Sequence, residues 1–333
     1  MKHIFLPIIN GGAYIYGIRG IYKAFEFAGH KVAYWDGTDE HIKSFKPDVY
    51  IGCSGHKQNF PKWAKQEYGT KTAYHVNPYS SSPLEKKEET WPDINEPRST
   101  IEWVVAQEPN FVFGFACRGA INRHWDKWTN DLGIRVYGEP TAGDHLSFKK
   151  VKPDPSMECD VAFVGGYWPY KAINIDKYLE PVRKKHNTII YGWGGWDGRS
   201  RGAIDDNDIL KLFSSAKIGP CVSEPHTTVY GIDIPERIFK VPLCGLAAIS
   251  DPVPTMRDYF PYDIMPMAST PDEYVDLVGY YLKNEDKRLE LVSKQHRHVI
   301  KNHTYMNRIM TFLAGFGFVE ESMKVQEIIN KME

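Results

Sequence analysis

The sequence predicts an α/β protein made of two doubly wound, Rossmann-like domains, and three observations carry that expectation. Short apolar runs alternate with helical patterns along most of the chain, the signature of parallel strands covered by helices on both faces. Several runs stop on small or glycine residues, Asn10-Gly11-Gly12, Ser54-Gly55 and Gly165-Gly166, as turns from strand to helix require. The rhythm also breaks near residue 150 and then restarts, and 333 residues are enough for two cores of ordinary size.

In chain order, residues 3–9 (HIFLPII) form a first strand, and 14–28 read as a helix. Strands follow at 31–35 (KVAYW), 48–53 (DVYIGC), 71–76 (KTAYHV), 110–116 (NFVFGFA) and 134–138, with a helix over 120–131 before the last of them. The stretch 78–98 is rich in Pro, Ser and charge and is too polar for a core. A connection of that length reads as a functional loop. Residues 139–158, with their prolines and a basic patch, read as an interdomain linker. The second series runs through strands at 160–164 (DVAFV), 187–192 (NTIIYG), 216–222 (AKIGPCV) and 246–250 (LAAIS). Its helices are expected at 172–186, 234–243, 271–283 and 285–301, and a last helix at 305–331.

Composition narrows the function. The 41 basic and 42 acidic residues leave a net charge of -1, so the overall balance gives no support to a nucleic-acid partner held by phosphate contacts. Five dispersed cysteines without a CxxC pair read as reduced thiols. The opening MKHIFLPIINGG has no cleavable signal pattern, and no apolar stretch reaches the length of a membrane span. These features lead us to expect a cytoplasmic protein without a membrane span. No metal site is expected: there is no HExxH and no DxD near the candidate residues. The acidic run Asp205-Asp206-Asn207-Asp208 reads as a helix cap.

Open parallel sheets bind ligands outside the carboxyl ends of their strands, so the residues after each run are the candidates for chemistry. The glycine turns could admit backbone N–H groups to an anion. His56, His75, Glu139 and Asp144 follow strands of the first half. Glu224 and His226 follow the strand 216–222.

Three segments carry a resemblance. Residues 232–251 (IDIPERIFKVPLCGLAAISD) resemble the donor-site segment of GT-B glycosyltransferases, in particular the CgeB-like group. The segment from Asn302 to Arg308 resembles that group's His-Thr-Tyr-x-x-Arg ending, and the one from Cys159 to Tyr167 its strand-and-glycine opening. The general layout is more remotely similar to that of the phage DNA β-glucosyltransferases.

The resemblance implies a GT-B fold: two Rossmann-like domains facing a cleft, with the C-terminal helix crossing back to the first. The implied parts are an acceptor-binding domain over 1–150, a nucleotide-sugar domain over 151–303 and a C-terminal helix over 304–333. It also implies sugar transfer from a nucleotide-diphosphate sugar, UDP-sugars being favoured, by a hexosyl- or pentosyltransferase that needs neither a metal nor a tightly bound cofactor. Gly11, Gly12, Gly165, Gly166, Tyr167, Lys171, Trp193, Glu236, Arg237 and Lys240 are then the donor-binding candidates, with Arg237 clamping the diphosphate and Trp193 meeting the base. His75, Asn77 and Glu224 are the catalytic candidates, His75 as base. The acceptor could be a glycan, a small molecule, a protein or hydroxymethylated DNA, and 78–98 is the expected specificity loop. Lys240 stands where the family carries a Glu that accepts from the ribose hydroxyls. A Lys cannot accept those hydrogens, so Glu236 or Asp233 is expected to do so. An inactive binding or assembly protein on the same fold is the rival expectation.

Overall fold

The computed structural model describes residues 1–9, 14–76, 98–119 and 126–332. The chain divides into two compact units, one of Met1–Ala142 with His303–Met332 and the other of Gly143–Asn302.

The first unit is built on six parallel strands: β1 (His3–Pro7), β2 (Lys31–Trp35), β3 (Val49–Cys53), β4 (Lys71–His75), β5 (Phe111–Gly114) and β6 (Val136–Gly138). They lie in the order β2-β1-β3-β4-β5-β6. Helices α1 (Tyr14–Phe27), α2 (Asp39–Phe45), α3 (Lys62–Tyr68), α4 (Arg98–Ala106) and α5 (Asp126–Asn130) connect them. The second unit holds β7 (Cys159–Val164), β8 (Thr188–Tyr191), β9 (Ala216–Cys221) and β10 (Ala247–Ser250), in the order β10-β9-β7-β8. Its helices are α6 (Pro169–Asn174), α7 (Glu180–Lys185), α8 (Asp206–Ser215), α9 (Pro225–Tyr230), α10 (Arg237–Leu243), α11 (Pro271–Lys283) and α12 (Glu285–Asn302). A π-helical turn, Ile175–Leu179, joins α6 to α7. In each sheet the strand order reverses once, between β1 and β3 and between β7 and β9. Such a reversal opens a crevice at the carboxyl edge, where doubly wound sheets take their ligands.

Local chemistry explains the helix starts. Asp205 accepts from the backbone N–H groups of Asn207 and Asp208, so the acidic run caps α8. Thr270 and Glu273 form a reciprocal capping box at α11, with Pro271 in its first turn. The short helices α2 and α3 escaped the sequence reading because seven residues are only two turns, too few for an apolar period to declare itself. Helix α10 begins at Arg237, three residues later than expected.

The expected single helix over 305–331 is two helices, α13 (Tyr305–Gly315) and α14 (Val319–Lys331). The break falls at Phe316, Gly317 and Phe318. Gly317 takes φ +86, and the Phe318 N–H closes back on the Leu313 carbonyl at 2.9 Å, a glycine-ended helix stop. The apolar pattern runs on through this turn because Phe316 packs on Phe111, 4.7 Å between ring centroids, and so conceals the break.

Helix α13 returns the chain to the first unit and packs on α1. A Cβ at Gly20 would lie 2.2 Å from the Tyr305 ring, so the two helices meet where only glycine fits. Arg308 of the same helix donates to the Pro140 carbonyl at 2.9 Å and the Thr141 carbonyl at 3.1 Å, and pairs with Glu139 at 3.3 Å. Both side chains of that ion pair are buried, and Arg118 meets Glu139 from its exposed side. Arg308→Ala is expected to leave the buried carboxylate to the exposed Arg118 and to strip the Pro140 and Thr141 carbonyls of their donor, at a cost of about 3 kcal/mol of stability, read as a lower denaturation midpoint.

Candidate functional site

The reversal between β7 and β9 is occupied by Arg237, the first residue of α10. Its Nε and Nη2 donate to the Val164 carbonyl at the end of β7, at 3.3 and 3.0 Å. Its Nη1 donates to the Val222 carbonyl just past β9, at 3.2 Å. The guanidinium also lies over the Phe163 ring, 4.3 Å from its centroid. Three of about five N–H donors are thus spent on fixing the group across the crevice, which leaves the others for a ligand. Burial pulls Arg237 below its ordinary ionisation range, with Asp251 and Glu236 among the groups that oppose the shift.

The glycines beside it are required by contact. A Cβ on Gly165 would lie 2.8 Å from Arg237 Nη2, and one on Gly166 would lie 2.8 Å from both the Trp168 and Trp193 rings. Those two indoles stack at 5.2 Å with 14° between planes, and Trp193 keeps 67% of its surface exposed. The loop carrying Trp193 is tied down by its backbone: Tyr167 N–H donates to the Trp193 carbonyl at 2.9 Å, and Gly195 N–H donates to the Tyr167 carbonyl at 3.0 Å. The Tyr167 hydroxyl is engaged by Asp176 at 2.7 Å and its ring by Arg199.

Lys171, in α6, brings a second cation to the same edge. Its ammonium lies 4.8 Å from the Trp168 centroid, and no carboxylate of the described residues is within ion-pair distance. Burial lowers its pKa to about 8, helped by the Arg237 charge and opposed by Glu224, Asp233 and Asp251. Glu224 takes the N-cap place of α9 without making a capping bond, and its carboxylate lies 3.8 Å from His226 Nδ1. Burial raises its pKa, against the pull of Lys171. The turn that presents it is held underneath. Ser223 donates from its N–H and hydroxyl to buried Asp251 at 2.7 and 2.8 Å, and Asn174 donates to the Ser223 carbonyl at 3.1 Å.

Glu236, at the start of α10, lies 3.6 Å from Lys240 one turn on, and Lys240 sits 4.2 Å from the Phe148 centroid. Burial raises the Glu236 pKa, Lys240 pulls it down and Asp144 pushes it up. The Lys that departs from the family pattern is therefore the partner of the neighbouring carboxylate.

Residues 173–314 match the family described as glycosyl transferase-like. No curated protein sequence matches the chain. The fold of the whole chain is similar to that of T4 phage BGT, solved with UDP and Mn2+, at TM-score 0.59 and 13% identity over 97% of this chain and 99% of that one. It is also similar to sucrose-phosphate synthase from Thermosynechococcus elongatus, at TM-score 0.60 and 11% identity over 96% and 100%. The Anabaena protein HepE, solved with UDP, aligns at TM-score 0.57 and 11% identity over 94% and 99%. The fold is that of the GT-B glycosyltransferases.

In the first unit the structure places His75 at the carboxyl end of β4, buried among Tyr14, Phe113 and Phe115, with Nδ1 3.9 Å from Cys53 Sγ. Burial lowers its pKa to about 3, so the ring is neutral and a weak base near neutral pH. Asn77, Gly11, Gly12 and most of the 78–98 loop lie outside the described residues. Glu139 is engaged by Arg118 and Arg308, Asp144 accepts from Ser147, and His56 is exposed. Of the sequence-derived donor candidates, the structure gathers Gly165, Gly166, Lys171, Trp193 and Arg237 on one edge, with Glu224 beside them. Trp168 and Asp251 were missed. A Trp two residues past a glycine turn and an Asp closing a strand were the only signals.

Proposed function

We propose that the protein is a glycosyltransferase that takes a UDP-sugar as donor and binds its diphosphate at the crevice between β7 and β9. The observation that supports this most is the pairing of Arg237 with Lys171. Two cations are held part-buried at a sheet switch point beside Gly165, with no carboxylate of the described residues within ion-pair distance of the ammonium. Such a pair is electrostatically unfavourable until an anion arrives, and the free N–H groups of Arg237 suit phosphate oxygens. Gly165 lets the ligand approach the backbone, exposed Trp193 offers a stacking face to the uracil, and Glu236, steadied by Lys240, accepts from the ribose hydroxyls.

When the glycosidic bond to the diphosphate breaks, negative charge grows on the departing oxygen. Arg237 and Lys171 lie where that charge develops, and they supply the countercharge without a divalent ion. The first unit would hold the acceptor hydroxyl. Saturating chelator is expected to leave transfer unchanged, and a rate that collapses with chelator and returns with Mn2+ would contradict the metal-free part of the reading.

The pH dependence follows from Lys171. A bound diphosphate favours the ammonium form, so the complex keeps a proton that the free protein sheds above about 8. Donor affinity is therefore expected to be level below that pH and to fall by up to about tenfold per unit above it. In Lys171→Met the fall should disappear. The overall reading is tested by UDP titration, followed by UDP release assays with glycan, small-molecule, protein and hydroxymethylated-DNA acceptors. A folded protein that binds no nucleoside diphosphate would overturn it.

A further inference from the structure

Lys171 has the surroundings of an amine without a counter-ion. Three carboxylates act on it through space, Glu224, Asp233 and Asp251, and each is engaged elsewhere. Glu224 lies 3.8 Å from His226 Nδ1, Asp233 accepts from the Thr227 hydroxyl, and Asp251 accepts from Ser223. The Arg237 charge reaches Lys171 as well and repels the ammonium. The helix that carries the lysine is pinned by its neighbour Tyr170, whose hydroxyl accepts the His226 backbone N–H at 2.8 Å and lies 3.1 Å from Nδ1 of the same residue. The ammonium rests 4.8 Å from the Trp168 centroid, on a side chain that stays part-exposed. Burial also pulls down Lys65, but that ammonium donates to the Gln107 and Glu108 carbonyls at 2.8 Å each.

An amine so placed holds its proton weakly, with a pKa of about 8, and a share of it is neutral near neutral pH. A neutral lysine amine is a nucleophile, and two cations do not repel a small uncharged electrophile. The product that suits the site is an anion, because Arg237 keeps N–H groups for one beyond those bonded to Val164 and Val222. We infer that Lys171 is a site of reversible modification by carbon dioxide, forming a carbamate that pairs with the Arg237 guanidinium and blocks the diphosphate site. The Nζ lone pair attacks the carbon of carbon dioxide, and one C=O electron pair moves onto oxygen. A proton then leaves the nitrogen for solvent. A neutral amine and carbon dioxide thus become a carbamate anion and one proton, nothing is oxidised or reduced, and the reaction reverses when carbon dioxide falls. The site loses a cation and gains an anion, the reverse of what a diphosphate needs. The blocking effect rests on the UDP-sugar reading above, whereas formation of the carbamate does not.

The first test equilibrates the protein with isotope-labelled carbon dioxide near pH 8, traps the carbamate by O-alkylation and maps the labelled peptides. Label is expected on Lys171, distinguished by the mapping from any on a chain-terminal amine. It should disappear when UDP is added, and at about pH 6, where the amine is almost all ammonium. The second test titrates UDP in carbon dioxide–bicarbonate buffer and in chloride of equal ionic strength. Wild-type affinity should be about threefold or more weaker in the first buffer. Lys171→Arg keeps the cation but stays protonated, so it should bind UDP equally well in both. Absence of label from Lys171 in folded wild type would overturn the inference and leave the donor site standing. An equal effect of the buffer on wild type and Lys171→Arg would also overturn it, marking bicarbonate as a simple competing anion. Label on Lys171 in a protein that binds no UDP would support the carbamate and overturn the donor reading.

Discussion

Arg237→Ala is expected to weaken UDP binding by about a hundredfold or more, because it removes a part-buried, forked, charge-assisted contact. The same change strips the Val164 and Val222 carbonyls of their donors, so a stability loss of about 1–3 kcal/mol should accompany it. Arg237→Lys separates the two effects. A lysine keeps the charge but cannot bond two strand ends and a phosphate at once, so binding should fall less than in the Ala variant while much of the stability loss remains. Calorimetric titration alongside denaturant unfolding checks both. Wild-type UDP affinity in Arg237→Ala would show that the guanidinium only ties β7 to β9.

The second large effect belongs to Gly194, which holds the tryptophan loop in place. It takes φ +96, and a Cβ there would lie 2.0 Å from the Tyr167 carbonyl oxygen. Gly194→Ala therefore combines left-handed strain with a backbone clash, and we expect a loss of about 3 kcal/mol. For a unit of this size that is a fall of roughly 6–12 °C in Tm. Because the loop carries Trp193, UDP affinity should drop too. Trp193→Ala, at a largely exposed position, should lower affinity with little change in Tm. If Gly194→Ala melts like wild type, the close approach of the two loops is not a feature of the folded protein.

Much of this was legible in the chain because strands buried on both faces announce themselves as apolar runs. The strands at 48–53 and 71–76 have bounds close to those of β3 and β4 for that reason. Arg237 was legible because its segment has a recognisable pattern. What the pattern could not show is that the guanidinium is anchored by carbonyls of two strands that are 58 residues apart in the chain, Val164 and Val222. The Tyr170–His226 pair was hidden likewise, since its partners stand 56 residues apart. Lys240 looked like a defect in the donor site when read alone. With Glu236 one helical turn earlier it becomes half of an ion pair, a spacing present in the sequence all along.

The central claim, that Lys171 and Arg237 form a diphosphate site, is tested most directly by calorimetric titration of UDP into wild type and Lys171→Met near neutral pH. The structure predicts one saturable site in wild type and an affinity about tenfold or more weaker in the variant, at unchanged thermal stability. Absence of UDP binding by well-folded wild type, or equal affinity in the two proteins, would contradict it.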